Sequence, residues 1–326
     1  MSAPTDAPAT GAPAIDAARA ADGRAGGRRV LTWVGHAARL ALGAVFLLAG
    51  VLKMVDVADF ARTTAGYGLI GAKLAVVAAP VMIAIEIALA VALLAGYRTR
   101  ATAALTGMLL VAFVALEGWG MAHGRTESCG CFGAYVQRTP LEVILEDVGF
   151  LALAVMAIAF LGPWEARRRR YAAAAVLVAT VAALGLALAS PLLPIDPWVT
   201  RLAVGRTVEE MGIGSKLPPE VQENGFVALL DLTDPVSKEA SAALNDLAAA
   251  PGLPKVIALT PSSETEYTAF LWEAYPGFDV VTADPPLLKR LYRRLPLYFR
   301  LRSGRVEAIY RDPRPPAANL LLSGAS

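Results

Sequence analysis

Glu127-Ser128-Cys129-Gly130-Cys131-Phe132-Gly133 carries both cysteines of a 326-residue chain, one glycine apart and set between two long apolar runs. Outward from it, five apolar runs lie near residues 31–53, 74–96, 101–121, 141–162 and 172–193. Each is long enough to cross about 30 Å of hydrocarbon as a helix. Composition agrees, with 56% hydrophobic and 18% charged residues and a mean hydropathy of +0.51. These values put about half of the chain in lipid. A net charge of +2, with no basic patch interleaved with aromatics, argues against nucleic acid as a partner. A single cysteine pair is not the framework of a disulfide-stapled domain.

The cysteine stretch lies between the third and fourth runs, so the arginines decide which way it faces. Arg24, Arg28 and Arg29 precede the first run, Arg98 and Arg100 sit between the second and third, and Arg167 to Arg170 separate the fourth from the fifth. On a five-span path these clusters share one side, which the positive-inside tendency makes cytoplasmic. The loop at 54–73, the cysteine loop at 122–140 and everything after residue 194 are then expected outside a bacterial-type inner (plasma) membrane. Residues 1–29, rich in Ala, Pro, Gly, Asp and Thr, are expected to form a disordered cytoplasmic tail. The first run reads as an uncleaved signal anchor. The expected division is a tail at 1–29, a four-helix transmembrane domain at 30–163, a basic loop and fifth helix at 164–194, and an extracytoplasmic domain at 195–326.

Inside the spans, Lys53 is expected to snorkel to the outer surface and Arg39 toward the cytoplasmic one. Glu86 falls near the middle of the second span and Glu117 near the outer end of the third. An intramembrane carboxylate is costly, so each should have a partner or a function. Glu86 is either a structural partner of Arg39 or part of a proton or quinone path. His36, near the cytoplasmic end of its helix, is expected to be structural.

A Cys-x-Cys on an outward loop has three readings. As a redox dithiol, Gly130 gives the backbone freedom that a tight ring closure needs, and a strained, exposed disulfide suits exchange. As a metal site, His123 joins Cys129 and Cys131 in a zinc- or copper-like set that has no evident fourth ligand nearby. The third reading is two thiols without chemistry.

Cys129-Gly130-Cys131-Phe132-Gly133, in the loop before the fourth span, resembles the signature of MauE, a methylamine-utilisation family of membrane proteins within a broader DoxX-like group. Arg39, Gly43, Phe46, Ala49, Gly50 and Lys53 in the first span, then Asp56 and Phe60, support it, as do Pro80 and Glu86 in the second. The resemblance covers residues 31–162. It implies a redox-associated membrane protein that helps disulfide formation or maturation of exported proteins, with a thioredoxin-like partner. On that footing Cys129 and Cys131 are the candidate catalytic pair of a thiol–disulfide oxidoreductase. His123, Glu86 and Glu117 would assist, and a quinone near the two carboxylates would accept electrons. Methylamine metabolism comes with the family name; no residue here speaks to it.

From residue 195 the composition becomes that of an ordinary soluble protein. Strands are expected at 226–232, 255–260 and 279–282, and helices at 235–249, 263–275 and 286–294. A hairpin of 297–301 and 306–311 turns at Ser303-Gly304. The sum is an α-helical membrane bundle followed by a soluble α/β layer domain. Over residues 205–312 the order resembles a TlpA-like thioredoxin fold. The corner where that family carries Cys-x-x-Cys reads Thr233-Asp234-Pro235-Val236-Ser237-Lys238 here, so Asp234 and Ser237 stand at the cysteine positions. Leu295-Pro296 matches the family's cis-proline. No thiol mechanism can run from this domain, and Asp234 reads as a helix cap. Pro296, Asp234 and Ser237 would instead dock a partner or client near the cysteine loop. Two further functions stay open: a non-enzymatic scaffold, and metal handling through His123, Cys129 and Cys131.

Overall fold

The structure, a computed structural model, describes residues 12–124, 139–161, 169–193 and 195–323. They form two compact units: most of the chain up to residue 188, and residues 189–326 together with the segment 55–60.

The first unit is helical. It contains α1 (Ala12–Val55), α2 (Val57–Gly66), α3 (Ala72–Ala95), α4 (Thr99–Ala122), α5 (Pro140–Phe160) and α6 (Arg169–Ala189). All but α2 are long and apolar enough to cross a membrane, the first over Gly26–Val55. α1 begins at Ala12, so residues 12–29 are helical where a disordered tail was expected, and residues 1–11 lie outside the described part. Ala14, Ala17, Ala18, Ala20 and Ala21 supply the helix propensity that the bulk-hydrophobic argument ignored.

Local signals set the other ends. The Thr139 hydroxyl accepts from the Glu142 N–H, and the Glu142 carboxylate accepts from the Thr139 N–H, with Pro140 at the first helical position of α5. Gly96, in the left-handed region at φ 73°, closes α3. Leu42, Phe46, Leu93, Leu110, Ala154 and Leu161 form the core of the unit. Two glycines bring α1 against α3. A Cβ at Gly50 would lie 2.7 Å from Ile87 Cδ1, and one at Gly43 would lie 2.9 Å from Leu94 Cγ. Val76, Val77, Met108, Leu145 and Val181 remain exposed, as an outer surface facing lipid requires.

The second unit starts with short turns, α7 (Asp196–Val199), α8 (Val208–Met211) and α9 (Pro219–Glu223). The alternation then runs β1 (Asn224–Leu229), α10 (Pro235–Ala249), β2 (Lys255–Thr260), α11 (Glu264–Ala274), β3 (Asp279–Thr282), α12 (Pro285–Lys289), β4 (Leu297–Arg302), β5 (Arg305–Tyr310) and α13 (Ala318–Ser323). The sheet order is β3-β2-β1-β4-β5. β2 runs parallel to β1 and β3, while β4 is antiparallel to β1 and β5. The sheet is therefore mixed, with helices between its parallel strands, and the Leu295-Pro296 bond is cis. β1 pairs two residues earlier than expected and stops at Leu229. α12 ends at Lys289, short of the expected residue 294, and the chain then passes through a turn and bends to Pro296.

Strand alternation gives the sheet two apolar faces. Val227, Leu229, Ile257, Leu259, Phe299 and Leu301 pack on one side. Phe226, Ala228, Val256, Ala258 and Tyr298 meet Leu244 of α10 on the other. The buried Tyr298 hydroxyl donates to Pro313 O at 2.9 Å, and burial pushes its pKa above the usual tyrosine value. The folded chain therefore holds this proton more tightly than the unfolded one. The stability it contributes is present below about pH 10 and is lost as the pH rises past that point. Tyr298→Phe should cost about 1 kcal/mol at neutral pH and flatten this alkaline loss. Denaturant unfolding of the full-length chain on either side of about pH 10, followed by hydrogen exchange of the β4 amides, checks both.

Candidate functional site

Lys53 in the last turn of α1 donates to a carboxylate oxygen of Glu86 on α3, and both side chains are only 1% exposed. Gly50, one turn earlier, lets α3 approach closely enough for this pair to form: a Cβ at that position would lie 3.7 Å from Glu86 Cβ. The Phe113 ring of α4 lies 5.2 Å from Lys53 Nζ, a cation–π contact. Glu117 on α4 and Asp147 on α5 are also buried. Asp147 feels the charges of Lys53, Glu117 and Glu86. Lys53, Glu86 and Asp147 share a cavity of about 20 Å³ with Phe46, Phe113 and Phe150, room for one water.

Two expectations are corrected. Lys53 does not snorkel outward; it is buried against Glu86. Arg39 is not the partner of Glu86: its guanidinium donates to the Leu93 carbonyl and, at 3.3 Å, to the Leu94 carbonyl at the end of α3. The reason is register. Arg39 and Lys53 are separated by about 20 Å along α1, and the antiparallel packing that sets Gly50 against Ile87 puts Lys53, not Arg39, level with Glu86. Arg100 Nε likewise donates to Leu161 O at 2.6 Å, at the end of α5. Arg39 and Arg100 thus satisfy carbonyls at the negative ends of two helices.

His123 caps the C-terminus of α4 and is exposed. Its Nδ1 lies 2.8 Å from Trp119 O, and its ring sits 4.0 Å from the Trp119 ring, centroid to centroid. With a carbonyl as partner, Nδ1 carries the hydrogen and Nε2 is left for a neighbour. Cys129 and Cys131 lie outside the described residues, so the proposed dithiol and the His123–cysteine metal set are not placed. Among the described residues no group of three or more His, Cys, Asp or Glu side chains could hold a metal ion.

In the second unit Asp234 is the N-cap of α10, accepting from the Ser237 N–H at 3.2 Å. Ser237 is fully buried, and its hydroxyl accepts from the Asp231 N–H at 3.3 Å. This corner is a satisfied helix start. Pro296 lines a cavity of about 280 Å³ with Asp196, Thr200, Tyr292, Arg294 and Arg311; neither Asp234 nor Ser237 lines it. Arg293, also buried, donates Nε to Val55 O at 2.7 Å and Nη2 to both the carbonyl and the hydroxyl of Ser190 at 3.0 Å. Its Nη1 reaches Leu193 O and Asp196 Oδ1 at 3.3 Å. Lys289 pairs with Asp56 and Asp59, both at 2.8 Å.

Sequence reasoning missed Asp147 and Arg293. The available signals were an acidic pair, Glu146-Asp147, inside an apolar run, and an Arg293-Arg294 pair just ahead of Leu295-Pro296.

Five membrane-capable helices around buried charges, followed by an α/β sheet domain, define a multi-pass membrane protein. Residues 31–160 match the model of the family described as methylamine utilisation protein MauE. Neither a curated protein nor a solved structure matches the chain.

Proposed function

We propose that this membrane protein is a thiol–disulfide exchange factor acting through Cys129 and Cys131. The observation that carries the reading is positional. The stretch holding both cysteines joins α4 to α5, at the end of the MauE-matching bundle where α1, α4 and α5 contribute Lys53, Glu117 and Asp147. In the exchange, a thiolate of a thioredoxin-like partner or exported client attacks one sulfur of the Cys129–Cys131 disulfide and expels the other as thiolate. The client's second thiol resolves the mixed disulfide. Two electrons and two protons reach the cysteine pair, and an acceptor of the quinone class removes them again. His123, through Nε2, would favour the thiolate form.

The division into a membrane core at 30–163, a basic cytoplasmic loop with the fifth helix at 164–194 and an outward domain at 195–326 belongs to this proposal, as does the cytoplasmic side of the arginine clusters. The cysteine-free domain would hold clients at the cavity beside Pro296. A scaffold without redox turnover is the second reading, favoured by the capped, thiol-free corner at Asp234 and Ser237.

Maleimide labelling of the full-length protein in intact cells tests the proposal. The cysteines should become reactive only after reduction, and Cys131→Ser should trap a mixed disulfide through Cys129. Absence of that adduct, with client maturation intact in both cysteine variants, would leave the scaffold reading. Copurified metal lost in His123→Ala would favour metal handling. Labelling that requires lysis would reverse the orientation.

A further inference from the structure

Among the described residues, several carboxyl groups are set around the Lys53 ammonium. α1 brings the Lys53 ammonium, α3 the Glu86 carboxyl, α4 the Glu117 carboxyl beside the Phe113 ring, and α5 the Asp147 carboxyl with Glu146 next to it in sequence. Tyr67 packs nearby, against Phe113, Leu116 and Val143. Lys53 donates to one oxygen of Glu86.

Among the described residues, the opposite oxygen of Glu86 and one oxygen of Asp147 are buried with no hydrogen-bond partner. Both residues line the same 20 Å³ cavity. Two ionised carboxylates lining one void in a lipid-spanning bundle, each with a buried oxygen that lacks a donor, are strongly disfavoured. A proton removes one charge and provides the missing donor, and one water fits the space between them. A metal cation suits the site less well: the cavity has no room for a coordination shell, and the Lys53 ammonium would repel a second cation.

We propose that the cavity among α1, α3, α4 and α5 binds one exchangeable proton, shared by Glu86 and Asp147 through a bridging water. The site stands on the carboxyl geometry alone and does not depend on the cysteine chemistry.

Infrared spectroscopy of the full-length protein in liposomes reads it directly. Exposed carboxylates are ionised at neutral pH, so the carbonyl stretch of a protonated carboxylic acid marks a retained proton. The wild type should show that band at neutral pH, shift it in heavy water and lose it on alkalinisation. Carboxyl-¹³C aspartate or glutamate assigns the band in the wild type even where variants fail to fold. Glu117→Gln should keep the band, whereas Asp147→Asn or Glu86→Gln should remove it. No band in the wild type overturns the proposal, and so does a band that survives both of those substitutions. A band present in potassium but abolished by equimolar sodium would identify a metal-cation site instead and equally overturn it.

Discussion

Lys53→Met should destabilise the full-length protein by about 3–5 kcal/mol, because it leaves Glu86 charged and buried without its cation. Methionine retains most of the lysine stem, so lost packing contributes little to that figure. The paired substitution Lys53→Met/Glu86→Gln removes both members of the pair and should recover part of the loss, while Asp147 and Glu117 stay buried without the ammonium. Unfolding of wild type, both single variants and the double variant in detergent micelles closes a double-mutant cycle. A Lys53→Met variant within about 0.5 kcal/mol of wild type, the range of an ordinary surface change, would mean that the pair does not hold α1 against α3.

The same pair marks where sequence reading stopped. Span lengths and the alternation of β1, α10, β2, α11 and β3 were legible because each depends on local chemistry: apolar run length, turn residues and caps such as Asp234. The choice of Lys53 over Arg39 as partner to Glu86 depends on the register of α1 against α3. That register is fixed by how closely Gly43 and Gly50 let the helices approach. Asp147 joined the cluster unseen because an acidic residue in the first turns of a span resembles an interfacial residue. Its burial comes from the α4–α5 packing around Leu110 and Ala154. Arg293 was hidden for a comparable reason. Its partners at Val55, Ser190, Leu193 and Asp196 are distant in sequence, and no periodicity announces them.

Arg293→Met should cost about 3–5 kcal/mol in the second unit, comparable to removing one member of a buried charge network. The planar guanidinium spreads its donors over the carbonyls of Val55, Ser190 and Leu193, the Ser190 hydroxyl and the Asp196 carboxylate. Methionine fills part of the volume and donates to none of these acceptors, although Ser190 O keeps the Leu193 N–H, Leu193 O the Ile195 N–H and Asp196 its pairing with Arg311. Arg293→Lys should recover less than half, because a compact ammonium cannot span a fork of that width. Arg294→Ala, next in sequence but exposed, should stay within about 0.5 kcal/mol of wild type. Hydrogen exchange on the full-length protein separates the cases: Arg293→Met should lose protection across residues 190–200 and into β4. That segment supplies Leu193, Asp196 and Thr200 to the wall of the cavity beside Pro296. Client capture should therefore fall together with stability in Arg293→Met. In Arg294→Ala it should fall while stability holds, so the pair distinguishes a residue that builds the cavity wall from one that meets what binds there.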